Sequence, residues 1–367
     1  MSLLVSRSPS GALDTRRRLQ RSLARSASRL LQRRLQRRDV DVVIGDLGRA
    51  DAILTGAEVG HTAVNAALMG DKRILFSASG RSFLCYGVQG RNWLALASPV
   101  GIKAEQDELV RTFMAAARQA RARPGFYAVG PEFADVARRN GLRMLKTGER
   151  ALVDLASFSM AGKDRQVIRT HRNRHIKNGW QVVVEGPGSA RPLHPVLARI
   201  SDEWLADTEG SEKSFALGRF DIGYLDRLPL ATVRGPDGQI AAFASLWPVA
   251  DKSRVGVDLM RYAHDAPNGV MDYLFAELFL WAQAQGYQQF DLNTAPFSGV
   301  GHDPDAPLTT AVARFAFKHG ERFYNFQGVR RFKKKFHPVW EDVYLAAPRT
   351  TAPLSALAAA ALLINRR

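Results

Sequence analysis

The sequence predicts a chain of mixed α/β class with mixed sheets, and three observations carry that reading. Residues 255–293 read as strand, turn, helix, strand: Val255, Val257 and Leu259 alternate at period two, then Met271, Leu274, Phe275, Leu278 and Ala282 recur at helical spacing. A similar order of elements precedes and follows a basic stretch at 157–179, which suggests a duplicated α/β unit with that stretch as its connecting helix. At 367 residues and 46% hydrophobic content, the chain is long and apolar enough for two cores.

In order, residues 1–40 form an amphipathic basic arm. Leu19, Leu23, Ala27, Leu30, Leu31 and Leu35 make one stripe, and arginines fill the remainder. A first domain at 41–156 has a helix at 61–68, strands at 74–79, 83–88 and 93–97, and a helix at 105–123 stopped by Pro124-Gly125. A strand at 126–129, a helix at 131–140 closed by Gly141 and a strand at 151–155 complete it. The 157–179 helix carries Lys163, Arg165, Arg169, Arg172, Arg174 and Lys177, with His171 and His175 interleaved; a solvated face and a phosphate-facing surface both suit it. A second domain at 180–348 has strands at 181–185, 230–233 and 240–247 and a helix at 195–206. The 255–293 unit and a helix at 310–319 follow. The tail, 349–367, is too short to span a bilayer and reads as a packing or interfacial helix.

The net charge of +17 is uneven: eleven arginines against Asp14 and Asp39 place nine of those charges in residues 1–40. Such a field suits phosphate polymers or anionic membrane surfaces. A single cysteine, Cys85, excludes a disulfide framework and a cysteine-rich zinc site, and fits a reducing compartment. Metal-protease, phosphate-loop and nucleophile-elbow signatures are missing, so neither a metal nor another cofactor is expected. His302-Asp303 sits in a loop and reads as loop closure.

Two charges interrupt the strand that opens the 255–293 unit, Asp258 and Arg261, and a buried charge is costly unless paired. Their odd spacing sends them to opposite faces unless a bulge intervenes near Leu259 or Met260. For an isolated Asp-x-x-Arg a structural ion pair at a strand end is the commoner reading. Farther on, Tyr324 to Trp340 interleaves aromatics with Arg330, Arg331, Lys333, Lys334 and Lys335. Stacking on bases with phosphate contacts explains this run. So does a helix packed through Phe332, Phe336 and Trp340, with Pro338 distorting its end.

Five segments occur together in order: Lys146-Thr147-Gly148-Glu149-Arg150-Ala151; Gly210 to Gly218; Asp258-Leu259-Met260-Arg261-Tyr262; Ala295-Pro296-Phe297-Ser298-Gly299-Val300-Gly301; and Tyr324 to Trp340. Across residues 45–348 the chain resembles the cytosolic synthase domain of the multiple peptide resistance factor, the bacterial lysyl- or alanyl-phosphatidylglycerol synthases. The resemblance implies tandem Gcn5-related acyltransferase (GNAT) folds, and transfer of an aminoacyl group from aminoacyl-tRNA to the glycerol hydroxyl of phosphatidylglycerol. That reaction lowers the negative charge of the membrane and underlies resistance to antimicrobial peptides. It implies a central groove open to tRNA on one side and lipid on the other, and a bulged fourth strand, which answers the parity objection.

On that basis Asp258 orients or deprotonates the lipid hydroxyl, Arg261 grips the lipid phosphate, and Glu321 is a further carboxylate. Glu149 and Lys146 bind near the aminoacyl end. Lys333, Lys334 and Lys335 hold phosphates, with Arg330 and His61 beside them, and Ser211 and Glu212 belong to the binding segment. Family members follow a flippase domain, so membrane access here is expected through the basic arm, the apolar tail or a separate membrane partner, at the inner face of the cytoplasmic membrane. Asn293-Thr294-Ala295-Pro296-Phe297 departs from the family's Gly-Met-Ala-Pro-Leu, which leaves the amino acid open. Two rivals remain: an acyl-CoA-dependent transferase, whose pyrophosphate loop is reduced here to Asn268-Gly269, and a non-catalytic module that binds tRNA or anionic membrane.

Overall fold

The computed structural model describes residues 44–208, 211–300 and 326–366. The basic arm, His302-Asp303, the helix expected at 310–319 and Glu321 lie outside those residues. Among the described residues, eleven strands form one sheet in the order β1-β2-β3-β4-β11-β5-β10-β9-β8-β7-β6. Its first part holds β1 (Arg73–Phe76), β2 (Phe83–Gln89), β3 (Asn92–Leu96), β4 (Arg123–Val129) and β5 (Leu142–Asp154). Its second part holds β6 (Gln181–Glu185), β7 (Leu230–Arg234), β8 (Ile240–Pro248), β9 (Arg254–Tyr262) and β10 (Gln289–Pro296). The last strand, β11 (Val339–Pro348), returns to lie antiparallel between β4 and β5.

Helices cover both faces. In chain order they are α1 (Ile44–Gly56), α2 (Gln106–Gln119), α3 (Ala134–Arg139), α4 (Gln166–Lys177), α5 (His194–Asp207), α6 (Ile222–Leu225), α7 (Val270–Ala284), α8 (Phe326–Lys334) and α9 (Pro353–Ile364). The segment expected as a helix at 61–68 is a 3-10 helix, Thr62–Met69, begun by His61. One core lies between the sheet and this 3-10 helix, α5 and α9; the second lies under α4, α7 and α8, and a third under α2 and α3. The expected mixed α/β class is borne out.

The run at 324–340 divides where its chemistry changes. Phe332 and Phe336 pack on Phe275 at 5.5 and 5.3 Å between ring centroids, so these two aromatics serve the core. Trp340, expected on the same helix, lies instead on β11. His337 (φ 50°) and Pro338 end the helical path, because proline lacks the N–H and clashes with the preceding turn. Pro124-Gly125, expected as a stop, lies inside β4. The strand expected at 151–155 is the end of a 13-residue strand, β5, which also carries Lys146 and Glu149.

Two bulges and a parting of strands make the site. Ala244 pairs with Met260 and Leu246 with Val257, so Ser245 alone faces both Asp258 and Leu259. Strands β9 and β10 pair in parallel only from Arg254↔Gln289 to Gly256↔Asp291. Beyond that point β10 carries its own irregularity, with Asn293 at φ 66°, and it runs on beside β5 rather than β9.

Candidate active site

A cavity of about 1260 Å³ occupies the region where β9 and β10 part. Its walls come from both faces of the sheet: Trp204, Lys213 and Asp258 from one, His171, Asp272 and Lys335 from the other. Met260, Leu217, Ala361 and the Tyr262 ring are among its apolar lining.

The bulge at Asp258 resolves the parity problem posed by the sequence. Asp258 and Arg261 both meet the loop at 211–221: Gly218 N–H donates to Asp258 Oδ1 at 2.8 Å, and Arg261 Nη2 donates to Glu212 at 2.8 Å. Gly218 is required here, since a Cβ would fall 1.9 Å from Asp258 Oδ2. Tyr224 donates its hydroxyl to Asp258 Oδ2 at 2.8 Å and accepts from Trp247 Nε1, also at 2.8 Å. Ser245 Oγ lies 3.4 Å from the same carboxylate oxygen. Burial in this wall pushes the Asp258 carboxyl up to about 6, and the donors from Tyr224 and Gly218 offset only part of that. A carboxyl poised near neutrality at a cavity is suited to accept a proton from a hydroxyl.

Arg261 is only 2% exposed, and it contributes nothing to the cavity lining. Its guanidinium bonds Ser201 and Glu212 and lies over the Trp204 ring, 5.2 Å from the centroid. Arg261, expected to grip a phosphate, here has both Nη groups bonded to protein partners, and it ties α5 and the Glu212 loop to the strand bearing Asp258. Ser211, beside Glu212, is half-buried.

A second i, i+3 pair is joined by the same device. Gly148 pairs with Val343 and Lys146 with Tyr344, which leaves Thr147 as the extra residue in β5. Lys146 Nζ then lies 3.4 Å from Glu149 and 2.5 Å from Asp342. Arg330, reaching from α8, meets Glu149 at 3.2 Å and stacks over Trp340 at 4.8 Å; Ser298 donates its hydroxyl to Glu149. Three residues singled out from sequence, Lys146, Glu149 and Arg330, are thus one cluster. Beside it, Thr147, Pro296 and Phe297 line the cavity.

The three lysines of α8 and its end diverge. Lys333 is buried in the cavity wall, where its ammonium donates to the Asn293 and Thr294 carbonyls at 2.8 Å each. Burial lowers it to about 7, with Asp291 opposing the shift. It is therefore no surface contact for phosphate. Lys335 bonds Asp272 at 3.0 Å, and Asp272 also meets His171 Nδ1 at 2.9 Å; Lys334 is exposed. His61, 5% exposed, lines the cavity from the opposite wall.

Sequence reasoning missed the supports. Tyr224 and Trp247 belong to no motif, and only their burial with a polar atom facing a carboxylate marks them. Likewise the buried Arg150 and Asp291 and the half-buried Arg254 and Glu341 form an ion network under the site, with Arg150 Nη1 at 3.2 Å and Arg254 Nη2 at 2.8 Å from Glu341. At Asn268-Gly269, where an acyl-CoA enzyme opens its pyrophosphate loop, α4 intrudes. Arg174 bonds the Asn268 carbonyl, and a Cβ on Gly269 would meet the His171 ring at 2.6 Å.

Comparison with known proteins places this architecture. Residues 52–347 match the family described as phosphatidylglycerol lysyltransferase, C-terminal. Phosphatidylglycerol lysyltransferases of Bacillus subtilis and Staphylococcus xylosus are 34% and 29% identical over 78% and 75% of this chain. The chain spans about a third of the length of these relatives (33% of each). A crystal structure of the C-terminal domain of a putative lysylphosphatidylglycerol synthetase from Agrobacterium fabrum superposes with a TM-score of 0.77 at 38% identity, covering 88% of this chain and 98% of that one. The structure of L-PGS from Bacillus licheniformis gives 0.75 at 32% identity, covering 87% and 97%. FemX, at 11% identity and a TM-score of 0.53, shares the fold. A matched region of this extent, over a sheet whose bulges bring Asp258 with Arg261 and Lys146 with Glu149 to common faces, makes this chain a member of the phosphatidylglycerol lysyltransferase C-terminal domain family.

Proposed function

We propose that the chain is an aminoacyltransferase that moves an aminoacyl group, lysyl or alanyl, from aminoacyl-tRNA to the glycerol hydroxyl of phosphatidylglycerol. The observation that carries this reading is one cavity lined by a raised carboxyl, Asp258, by apolar residues such as Met260 and Leu217, and by the cations Lys213, Lys333 and Lys335. An ester donor is already activated, so the protein has to position two substrates and handle one proton. Asp258 accepts the proton of the lipid hydroxyl as its oxygen attacks the ester carbon, and returns a proton to the departing ribose oxygen. The carbon–oxygen bond to the ribose breaks as the bond to the lipid forms, so no cofactor is consumed.

The Lys146–Glu149–Arg330 cluster holds the aminoacyl end, with the Glu149 carboxylate available to an α-ammonium. Lys333, fixed between two backbone carbonyls, keeps the 293–297 turn in place and supplies positive charge close to the reacting ester. Arg261 positions Asp258 through the Glu212 loop. Exposed cations of α4 and Lys334 meet the tRNA backbone, and the chain works peripherally at the inner face of the cytoplasmic membrane. Among the described residues no helix is long and apolar enough to cross a membrane.

The covered Gly269 loop speaks against an acyl-CoA donor. The test is incubation of the chain with a pool of labelled aminoacyl-tRNAs and mixed-lipid vesicles, followed by identification of labelled lipid. An aminoacyl-phosphatidylglycerol that vanishes after prior RNase treatment is expected. Label that stays on tRNA with every lipid, despite binding, supports a non-catalytic module instead.

A further inference from the structure

His61 lies outside the two clusters described above, yet it combines three features that point to a role in the cavity. It begins the 3-10 helix, with its backbone extended (φ −144°, ψ 135°) and its Nδ1 accepting the Ala63 N–H at 3.1 Å. A ring nitrogen that accepts an N–H carries no proton, so in the neutral imidazole the hydrogen resides on Nε2. That Nε2 is covered and, among the described residues, has no hydrogen-bond partner. A buried donor left unmatched costs about 1–3 kcal/mol, and proteins retain few of them.

The surroundings fix the ring's state. Burial, then the charges of Arg150 and Arg254, hold the imidazole well below its ordinary range. Both arginines are locked to Glu341, and Arg150 also faces Asp291 at 3.6 Å. Thr62, next to His61, donates to Asp291 at 2.6 Å, which pins the start of the helix to the sheet. Thr147, Arg150, Leu292 and Asn293 line the same cavity as the ring. Those residues belong to the strands that also carry Glu149 and the Lys333 contacts, the region assigned above to the aminoacyl end.

We propose that substrate entering the cavity uncovers the His61 Nε2–H and receives it on the carbonyl oxygen of the aminoacyl ester, an inference that rests on the aminoacyl-transfer reading. As the lipid oxygen adds to the carbonyl carbon, the electron pair moves onto that oxygen, and the Nε2–H bond shortens onto the developing charge. When the ribose oxygen departs with the proton held by Asp258, the pair returns to the carbonyl. His61 neither gains nor loses a proton. A neutral donor fixed by a helix start and by flanking cations stabilises the oxyanion without competing for the proton that Asp258 handles.

Two variants separate the donor from the cap. His61→Asn keeps a favoured capping oxygen and removes the Nε2 donor, whereas His61→Gln can carry an amide N–H toward the Nε2 position but caps less well. In lipid aminoacylation with the full chain, H61N is expected to keep the wild-type Tm and the wild-type KM for aminoacyl-tRNA within about twofold. Its kcat should fall about 100-fold, the loss of one oxyanion donor. H61Q should recover about tenfold of that despite a lower Tm. Wild-type kcat in H61N, or activities that follow Tm rather than the donor, would overturn the proposal. Failure of the wild-type protein to form aminoacyl-lipid would instead refute the transfer reading itself. A measurement independent of turnover uses 15N-labelled protein: the His61 ring should show the Nε2–H tautomer, and a 3′-aminoacylamido-adenosine should shift its Nε2 resonance. An unmoved resonance at saturating analogue, or an Nδ1–H tautomer, rejects the donor role.

Discussion

Removing the Tyr224 hydroxyl tests what holds Asp258 at its working acidity. In Tyr224→Phe the carboxylate loses the 2.8 Å donor to its Oδ2, and that donor is one of the groups opposing the upward push of burial. A hydrogen bond to a charged group contributes roughly 1.5–3 kcal/mol. Because the Asp258 side chain is only half-buried against the cavity, the lower end applies. About 1.4 kcal/mol corresponds to one pH unit, so the acid limb of the pH–rate profile should rise from about 6 to about 7. At pH 6.5 the anionic fraction falls roughly threefold, while at pH 8 the two proteins converge. The assay is single-turnover transfer from purified aminoacyl-tRNA to phosphatidylglycerol vesicles between pH 5.5 and 8.5. Trp247 Nε1 would be left without its acceptor in this variant, so Tyr224→Phe/Trp247→Phe is run alongside to remove the orphaned donor. A limb that stays put or moves downward in both proteins refutes the assignment of Asp258 as the titrating group.

Four further outcomes follow from the same geometry. Asp258 is raised in the folded state, so its contribution to stability is present below about 4 and is lost as pH rises through about 6; thermal melts of Asp258→Asn should therefore gain on wild type from pH 5 to 7.5, and a constant difference would contradict the burial argument. Arg261→Ala removes the partner of Glu212, Ser201 and Trp204 and should destabilise the fold by about 3 kcal/mol, read by urea unfolding; a stability unchanged from wild type would return Arg261 to the pool of substrate contacts. Glu149→Gln should raise KM for aminoacyl-tRNA about tenfold or more while leaving vesicle binding intact, since a charge-assisted bond to an α-ammonium is worth roughly 1.5–3 kcal/mol, and a selective loss of vesicle binding would reassign the cluster to the lipid. Phe336→Ala, at a fully buried ring, should cost about 3–5 kcal/mol; an unchanged melt with lost tRNA affinity would favour base stacking over packing.

Much of this architecture was legible in the sequence because it rests on short-range signals. Alternation at 255–259, helical spacing at 271–282 and the Pro267-Asn268-Gly269 entry correspond to β9, α7 and the φ 83° glycine between them. The odd spacing of Asp258 and Arg261 put them on opposite faces unless a bulge intervened, and the family resemblance implied the bulge that Ser245 reveals. Long-range pairing was not legible. β11 lies between β4 and β5, far from both in sequence, and its start was hidden by an aromatic spacing that continues the preceding helix across Pro338. The side chains that tune the site were equally silent: Tyr224 and Trp247 become a relay to Asp258 only once loop, β8 and β9 are assembled. The enclosure of Arg261 was silent for the same reason, since sequence shows a charge in a strand but not the Glu212, Ser201 and Trp204 around it.

The central claim, that Asp258 manages the proton in an aminoacyl transfer, is met most directly by the single-turnover rate of Asp258→Asn on phosphatidylglycerol vesicles at pH 7.5. Proton management of this kind contributes about 10²–10⁴-fold. A fall of that order is expected in a protein that melts no lower than wild type and binds tRNA and vesicles equally well. A rate within a few-fold of wild type would contradict it.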